Sequence, residues 1–338
     1  MMNLRKTIIA GITCSLLPLV SQAAPDFYGR AWLGLSHSDS GLLSDRKENG
    51  AYLENYASFI GVKGKEKLND NINIVYVMEF GNNGGYFDTS SLFKSRNTYL
   101  GVESQLGTLV FGRNDTVFKK TEGKVDLFNI TSSDMAKIIA GNDRLGDSAT
   151  YYSPKWNGVQ LGVSYQFADN LPEQNGSNGN YALSLTAGDA KLKQQAWYLA
   201  LAYADSLNAL DAVRAVAGAR LAGAKLGFMY QHSESQKYQN LSGNSLLASM
   251  EIPWQQYSFK AQYLYDNSGN GKVVSSLADK ASVTDASSGQ ASLGLDYRAS
   301  KSTTFSLITT YLDGDFTDAG GYTEYDDKLV TLAMKHMF

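Results

Sequence analysis

The sequence predicts an all-β protein, a closed transmembrane antiparallel β-barrel of about sixteen strands with one long loop folded inward. Three observations favour this architecture. The chain begins with an export signal, it then alternates apolar and polar residues in runs of roughly ten, and the gaps between runs alternate between short and long. Mean hydropathy is −0.26, which is too low for a chain of membrane-spanning helices.

The first residues have the pattern of a secretory signal peptide. Arg5 and Lys6 precede the apolar run Thr7–Val20, and Ala23 ends a small-x-small cleavage site. An apolar run this short does not span a bilayer. We therefore expect residues 1–23 to be cleaved during export.

The mature chain, residues 24–338, then carries no cysteine, because the single one, Cys14, lies in the signal. Cys14 is interpreted as part of the apolar segment and not as a lipid attachment site, since Thr13 stands where such a site requires a smaller residue. Without disulfides, stability must come from backbone pairing and burial. Removal of Arg5 and Lys6 makes the chain more acidic than its full net charge of −3, which argues against a nucleic-acid partner.

Period-two alternation identifies the strands. In Val159–Phe167 the odd positions are apolar or aromatic, and the even positions are Gln, Gly, Ser and Gln. A water-soluble sandwich also alternates, but we expect its polar face to carry more charge than this. The predicted strands are 26–38, 49–63, 71–82, 92–103, 107–113, 147–154, 158–168, 179–187, 191–204, 211–221, 223–233, 243–252, 256–266, 288–299, 302–313 and 326–338.

The gaps between these strands alternate in length, apart from 205–210. Short turns on one rim and long loops on the other are typical of an outer-membrane barrel. The gap 267–287 is rich in Asn, Gly and Ser, and we expect it to be the most mobile of the long loops. Short gaps fall at 64–70, 104–106, 155–157, 188–190, 222, 253–255 and 300–301, and longer gaps fall at 39–48, 83–91, 114–146, 169–178, 234–242, 267–287 and 314–325.

The segment 114–147 differs from the strands on either side of it. It has no period-two pattern, and a loop of that length inside a compact domain is usually functional or disordered. Apolar residues such as Phe118 require burial, whereas Glu122, Asp126 and Asp134 require water or polar partners. This mixture predicts a constriction loop that folds against a partly wet wall and narrows the lumen.

The mature chain resembles the Gram-negative general porins over essentially its whole length. The residues that carry the resemblance are Phe27–Ala31 in the first strand, Ser95–Val102 and Leu106–Arg113 before the long loop, Arg144 with Ser148–Pro154 at its exit, and the terminal Phe338. Their order and spacing together make the resemblance specific.

The resemblance implies a homotrimer of barrels in the outer membrane, each with its own aqueous pore, in contact with outer-membrane lipid and lipopolysaccharide. It also implies that carboxylates of the long loop face a row of basic residues on the barrel wall. The loop carboxylates are Glu122, Asp126 and Asp134. The wall residues are Arg30, Arg96 and Arg144, with Arg113 nearby. Ser58 departs from the family pattern, since several relatives carry Arg there.

Alternation predicts which way the wall residues point. An Arg that faces lipid at the midplane of the bilayer costs roughly 2–4 kcal/mol, so the wall arginines are expected to face the lumen. Arg30 and Trp32 then share the inner face of the first strand. By the same rule we expect Arg96 and Thr98 to face the lumen and Tyr99 to face outward.

Features of an enzyme are weak in this sequence. The histidines His37, His232 and His336 lie far apart, without partners at metal-ligand spacing, so we expect no metal and no cofactor. The catalytic candidate is a rim cluster of His37 with Ser36 and Asp39, which lacks the orienting geometry of a triad. We predict no catalytic residue and no enzymatic activity.

The predicted function is passive diffusion of ions and small hydrophilic solutes through an outer-membrane channel. The arginine cluster predicts a locally positive constriction and a weak preference for anions, despite the negative total charge. Three alternatives stay open: a channel specific for one solute class, such as sugars or acidic compounds; an outer-membrane barrel enzyme; and a secreted β-rich adhesin that never enters a membrane.

Overall fold

A computed structural model describes residues 24–45, 47–82, 93–167 and 180–338. The expected signal peptide lies outside the described residues, as do the long gaps predicted at 83–91 and 169–178.

Within the described residues, eighteen β-segments form one antiparallel sheet. Their bounds are β1 Asp26–Ser38, β2 Gly50–Asn55, β3 Phe59–Lys67, β4 Ile72–Asn82, β5 Phe93–Ser104, β6 Gly107–Asp115, β7 Arg144–Leu145, β8 Ser148–Tyr152, β9 Val159–Gln166, β10 Tyr181–Gly188, β11 Trp197–Leu207, β12 Leu210–Leu221, β13 Ala224–Ser235, β14 Ser242–Trp254, β15 Tyr257–Asp266, β16 Asp285–Arg298, β17 Thr303–Asp318 and β18 Gly321–Met337. The helical elements are α1 Val117–Lys120, a 3-10 turn Met135–Lys137 and α2 Lys272–Leu277. No helix in the described part of the chain is long and apolar enough to cross a bilayer.

The segments make a closed barrel of sixteen strands, which confirms the predicted architecture. β2 and β3 both pair with β1 and are two parts of one strand, and β7 and β8 likewise both pair with β6. β1 pairs with β18 along Arg30–Ser38, which closes the ring. A closed ring leaves no strand edge, and each unpaired backbone polar group in hydrocarbon costs several kcal/mol.

Side chains of the wall alternate as predicted. In β9, Leu161 is 46% exposed and Val163 is 36% exposed on the outer face. Gly162, Ser164 and Gln166 occupy the alternate positions of the same strand; they face inward and are buried. An apolar outer surface combined with a polar inner surface suits a barrel with lipid outside and water inside.

Aromatic residues line the end of the barrel that carries most of the short turns, which we call the short-turn end. Trp254, Tyr257, Tyr297 and Phe305 are successive cross-strand partners on β14–β17. The ring centroids of Trp254 and Tyr257 are 5.9 Å apart, and those of Tyr257 and Tyr297 are 5.3 Å apart. Such a row is typical of the headgroup level of a membrane. We call the opposite end the long-loop end.

The long gap predicted at 314–325 is wrong. β17 and β18 pair continuously out to Asp318 and Gly321, so only a two-residue turn joins them. The acidic and glycine residues of this stretch resembled a loop, but a hairpin that projects beyond the hydrocarbon can carry charge on both faces. The hairpin also fixes the neighbouring loop, because buried Asp327 accepts hydrogen bonds from Ser38 Oγ at 2.8 Å and from Leu43 N at 2.9 Å.

The short gap predicted at 188–190 is also wrong, because β11 begins only at Trp197 and not at residue 191. Residues 189–196 form a longer turn at the short-turn end, and Leu192 of this turn is buried inside the barrel. An isolated leucine gains about 1.5–3 kcal/mol from such burial. This free energy of burial favours the turn over an extension of β11. The alternation pattern alone does not include it.

An irregularity in β5 changes the predicted orientation of its residues. The register of β5 on β4 shifts by one residue opposite Glu79. A β-bulge of this kind resets the alternation of the strand. Arg96 therefore faces the lumen as expected, but Tyr99 faces the lumen too and Thr98 is exposed on the outer face, so the orientation predicted for these two residues is wrong.

Part of the space inside the barrel is an apolar core. The loop between β15 and β16, which contains most of the gap 267–287, folds inward, and its Val273, Val274 and Val283 are buried in this core. The expectation of a fully solvated loop is therefore wrong, and its mobility stays a prediction. Burial of three valines partly offsets the entropic cost of ordering the polar residues around them.

Candidate pore constriction

The inward loop, residues 116–143, leaves the wall after β6 and enters the lumen, close to the predicted bounds of 114–147. Thr116 caps α1 by accepting a hydrogen bond from a backbone N–H three residues later at 3.1 Å. Val117 and Phe118 are buried against β9–β11. The first turn of the loop is therefore fixed by a helix cap and by apolar packing.

Glycines of the wall make room for the loop. A Cβ atom at Gly227 of β13 would lie 2.7 Å from the Cβ of Val125. A Cβ atom at Gly294 of β16 would lie 2.7 Å from the ring of Phe128. Gly162 of β9 likewise leaves room for Val117 of α1. Only glycine permits so close an approach of loop and wall.

Asp126 ties two parts of the loop to each other and to the wall. Its Oδ1 accepts hydrogen bonds from Phe128 N at 3.1 Å and from Gln262 Nε2 at 2.9 Å. Its Oδ2 accepts from Met135 N at 3.2 Å. Gln262 Oε1 in turn accepts from Leu127 N at 2.8 Å. Each such bond contributes about 1 kcal/mol, and bonds to a charged group contribute more.

The tip of the loop is attached to the wall on the far side. Ser133 Oγ lies 2.5 Å from Thr310 Oγ1 of β17, and Gln290 Nε2 of β16 donates to the Ser133 carbonyl at 2.8 Å. Ser132 Oγ donates a short hydrogen bond to Glu54 of β2. The loop therefore covers the wall over β9–β17, which we call the covered half, and its tip also reaches β2. The wall formed by β1 and β3–β8 is the open half.

The return limb of the loop is held by a buried arginine. Arg214 of β12 has no exposed surface, and its Nη1 donates to Asn142 Oδ1 at 3.1 Å while its Nη2 donates to the Ala140 carbonyl at 3.3 Å. Its Nε donates to Gln231 at 2.8 Å. Its position in the sequence predicts an ordinary lumen or rim charge for Arg214, and only the path of the loop reveals it as an anchor.

The open half carries all four predicted arginines, and three of them form a cluster. Arg30, Arg96 and Arg144 lie close enough to repel one another electrostatically. Arg30 Nη2 donates to the Ala57 carbonyl at 2.8 Å, and Ala57 has a φ of +51° at the break between β2 and β3. The guanidiniums of Arg30 and Arg96 lie 5.2 Å and 4.7 Å from the ring of Phe59. Backbone geometry and an aromatic support therefore position this cluster.

Acidic residues of the wall itself partly neutralise the cluster. Arg96 Nε lies 3.2 Å from Glu79 Oε2, and Arg144 Nε lies 3.0 Å from Asp115 Oδ1. Neither Glu79 nor Asp115 is among the predicted counter-charges, because these were sought well inside the long loop and not beside the wall arginines. The sequence does indicate that Glu79 faces the lumen, because Glu79 and Gly81 occupy alternate positions on the inner face of β4.

Arg113 lies at the base of the loop and not with the other three arginines. Its Nη1 donates to the Arg144 carbonyl at 3.1 Å, and its guanidinium lies over Gly146. Ser58 is buried, and its Oγ accepts a hydrogen bond from Trp32 N at 2.8 Å. Both residues therefore support the backbone around the cluster.

Two of the three predicted loop carboxylates, Glu122 and Asp126, make hydrogen bonds to other residues of the loop. Burial, with Asp126 close by, raises the pKa of Glu122 to about 8. Its Oε1 accepts from Asn129 Nδ2 at 3.0 Å. Burial, together with the charge of Asp134, likewise raises the pKa of Asp126. These two groups hold the loop together more than they face water.

Asp134 is the predicted loop carboxylate that shares a cavity with Arg96 and Arg144. It caps the 3-10 turn by accepting from Ala136 N at 2.7 Å. It also lines a cavity of about 630 Å³ beside Arg96 and Arg144. Lys94, Lys137 and Lys272 line the same cavity, and of these Lys137 is paired with Asp45 at 2.6 Å. Basic groups therefore outnumber acidic groups on the long-loop side of the constriction.

The strand geometry separates the residues of the catalytic candidate at the rim. Ser36 is buried on the inner face of β1 and its Oγ lies 2.8 Å from Thr331 Oγ1. His37 faces outward and lies 3.7 Å from Asp39. Successive residues of a strand point to opposite faces, so Ser36 and His37 cannot act together. Within the described ranges, no group of three His, Cys, Asp or Glu residues is placed to hold a metal ion.

Sequence comparison identifies relatives of this chain. The sequence model of the Gram-negative porin family matches residues 10–318. The major outer membrane protein P.IB of Neisseria sicca is 25% identical over 175 residues, which cover 49% of this chain and 48% of that protein. The P.IB protein of Neisseria meningitidis serogroup B is 28% identical over 178 residues, or 51% of this chain and 52% of that protein. The chain thus spans about half the length of the curated relatives it matches.

Solved structures share the fold. The anion-selective porin from Comamonas acidovorans superposes with a TM-score of 0.69 at 16% identity, covering 93% of this chain and 99% of that chain. The trimer form of OmpT from Vibrio cholerae superposes with a TM-score of 0.67 at 14% identity over the same shares. At such low identity these likenesses concern the barrel architecture alone.

Proposed function

Because the chain belongs to the Gram-negative porin family, we propose that it forms a water-filled channel in the outer membrane, through which ions and small hydrophilic solutes diffuse passively. The observation that carries this proposal is the division of the lumen. The inward loop is fastened to the covered half, while the charged groups of the open half stay beside the remaining passage.

We propose that Arg30, Arg96 and Arg144 form the wall of the constriction, and that Arg113 supports it from behind. Asp134 is the carboxylate proposed to face this wall, whereas Glu122 and Asp126 hold the loop in place. Opposite charges on two sides of a narrow passage set a transverse field, which tunes ion selectivity. Since Glu79 and Asp115 neutralise part of the positive charge, we expect a weak preference for anions.

The test is conductance of the purified protein in planar lipid bilayers. We expect stepwise single-channel currents. Across a KCl gradient, we expect the reversal potential to have the sign that indicates a preference for anions. Arg96→Ala should weaken that preference, whereas Arg298→Ala, at the short-turn rim, should leave it unchanged. A clear cation preference that Arg96→Ala does not alter would contradict the assignment.

The same preparations separate the other candidate functions. Current block by one sugar or one acid at low concentration, and not by other solutes of the same charge, would identify a solute-specific channel. A protein that stays in solution without detergent and gives no current would be an adhesin. Release of fatty acid or peptide that is lost in His37→Ala would identify an enzyme.

We propose further that the protein is a homotrimer surrounded by outer-membrane lipid and lipopolysaccharide. Support comes from the apolar outer face of the barrel and from the trimer form recorded for OmpT. Native mass spectrometry of the detergent-extracted protein is expected to give three copies, and a monomer as the largest species would contradict this.

A further inference from the structure

On the short-turn side of the constriction lies a second cavity, of about 440 Å³, between the underside of the inward loop and the wall. We call it the basic vestibule. Because short turns of outer-membrane barrels face the periplasm, the vestibule lies at the periplasmic exit of the proposed channel. Its basic residues are Arg30, Lys124, Lys191, Lys193, Lys225, Lys260 and Lys335.

The acidic residues of the vestibule are already engaged. Glu251 pairs with Lys225 at 2.9 Å, and Asp296 pairs with Lys260 at 2.6 Å. The third, Asp126, accepts hydrogen bonds within the loop and from Gln262. Among the residues that the structure describes, the remaining basic groups of the vestibule form no ion pair; they are Arg30, Lys124, Lys191, Lys193 and Lys335.

Two of these cations stand on the same aromatic ring. Lys335 Nζ lies 4.6 Å and Arg30 Cζ lies 5.1 Å from the ring of Trp32, which is only 8% exposed. The indole supports both cations from below but supplies no full negative charge. Arg30 and Lys335 also repel each other electrostatically, and an anion beside both would relieve that repulsion.

Two more cations are presented by the turn 189–196, which is fixed in place. The Asp189 carboxylate accepts hydrogen bonds from the backbone N–H groups of Lys191 at 2.9 Å and of Lys193 at 2.7 Å. These bonds lower the pKa of Asp189 to about 2, so it stays ionised. Leu192 between them is buried in the apolar core under the loop. Backbone bonds and one apolar anchor thus hold the turn, which leaves both lysine side chains free to bind a ligand.

We propose that the basic vestibule binds small multivalent oxyanions, solutes with two or more carboxylate or phosphate groups, as they pass the periplasmic exit. Ammonium and guanidinium donors on three sides suit several anionic oxygens at once, which a chloride ion does not provide. The proposal deepens the anion preference proposed above and rests on it. It adds a binding step at a defined place, below the constriction, which shares Arg30 with the constriction wall and includes neither Arg96 nor Arg144.

The test is current block in planar bilayers with citrate or pyrophosphate added to one side at a time. We expect brief blocks at lower concentration from the periplasmic side than from the external side. Lys191→Gln/Lys193→Gln should raise the half-blocking concentration by about tenfold, since two charge-assisted contacts are lost. The matched control is Lys155→Gln/Lys301→Gln, which removes the same charge from other turns at the same rim and should leave the block unchanged.

The outcomes separate the vestibule from the channel function. A wild-type channel that conducts but is blocked by neither anion overturns the vestibule and leaves the channel intact. Equal weakening in the control pair also overturns it, because general surface charge would then explain the block. Calorimetric titration of the detergent-solubilised protein with the same anions checks binding even where no current flows, and absence of binding there overturns the proposal directly.

Discussion

The two halves of the lumen are built on opposite principles. The covered half uses glycines, hydrogen bonds and an apolar core to hold the inward loop. The open half keeps arginines, tyrosines and their carboxylate partners beside the passage. Close packing and hydrogen bonds are concentrated where the loop touches the wall, and the arginine cluster lies where it does not. Changes to the covered half should therefore alter pore size, and changes to the open half should alter selectivity.

The largest effect is expected when the covered half loses its loop. Replacement of residues 123–141 by a short Gly-Ser linker removes the loop from the lumen but leaves the strands of the barrel paired. Single-channel conductance should rise several-fold, with weaker ion selectivity. The barrel should still migrate as a folded species in unheated gel samples. Unchanged conductance would show that the loop does not limit the passage.

A subtler way to loosen the covered half is to fill its glycine sites. Gly227→Ala with Gly294→Ala places methyl groups 2.7 Å from Val125 and Phe128, so the loop must shift. We expect a higher and noisier single-channel current. Gly218→Ala is the matched control, because its Cβ would meet Leu192 at an ordinary 3.6 Å. If the control and the double variant behave alike, close packing of loop and wall is not what fixes the pore.

Neutralisation of a carboxylate in the open half should act on selectivity alone. Glu79 accepts hydrogen bonds from Tyr28 Oη at 2.9 Å and from Arg96 Nε at 3.2 Å. Glu79→Gln keeps an acceptor but removes the charge, so the anion-to-cation permeability ratio should rise roughly twofold at nearly constant conductance. Glu103→Gln, whose carboxylate is at the short-turn end and paired with Lys65, is the control. A fall in the ratio for Glu79→Gln would contradict a positively charged wall.

The smallest effect is a pH dependence within the loop. The pKa of Glu122 is about 8 in the folded protein, whereas an unfolded glutamate titrates near 4.3. Between about pH 5 and pH 8 the folded loop therefore holds a proton that the unfolded chain releases, so stability falls as the pH rises through this window. The loss should be about 1 kcal/mol or more, seen as a lower apparent Tm at pH 9 than at pH 6. Glu122→Gln should flatten this dependence, and an unchanged slope would show that Glu122 is not its source.

The wall was predictable because one physical rule governs it. Lipid outside and water inside force a period of two, which is why β1 matches its predicted bounds and Leu161 and Val163 face outward. The period of two no longer predicts the structure where the wall is not in contact with the hydrocarbon of the membrane, or where a bulge interrupts a strand. The hairpin that ends at Asp318 continues in water, and the bulge opposite Glu79 changes the orientation of Tyr99.

The site was predictable in part. Arginines on strands can be assigned to the lumen by the cost of placing them in lipid, and Arg30 and Arg96 lie there. The path of the inward loop has no period, so its contacts with Arg214 and Asp126 depend on tertiary packing. For the same reason sequence alone did not separate Asp134 beside the passage from Glu122 inside the loop.

Cross-linking of the loop tip tests the central claim most directly. Ser133→Cys with Thr310→Cys places two thiols where the hydroxyl oxygens now lie 2.5 Å apart, in a mature chain expected to contain no other cysteine. Mild oxidation should form the disulfide in nearly all molecules, and single-channel conductance should stay at the wild-type value. If the thiols stay reduced, or if the disulfide forms only with a large fall in conductance, the loop does not rest on the covered half.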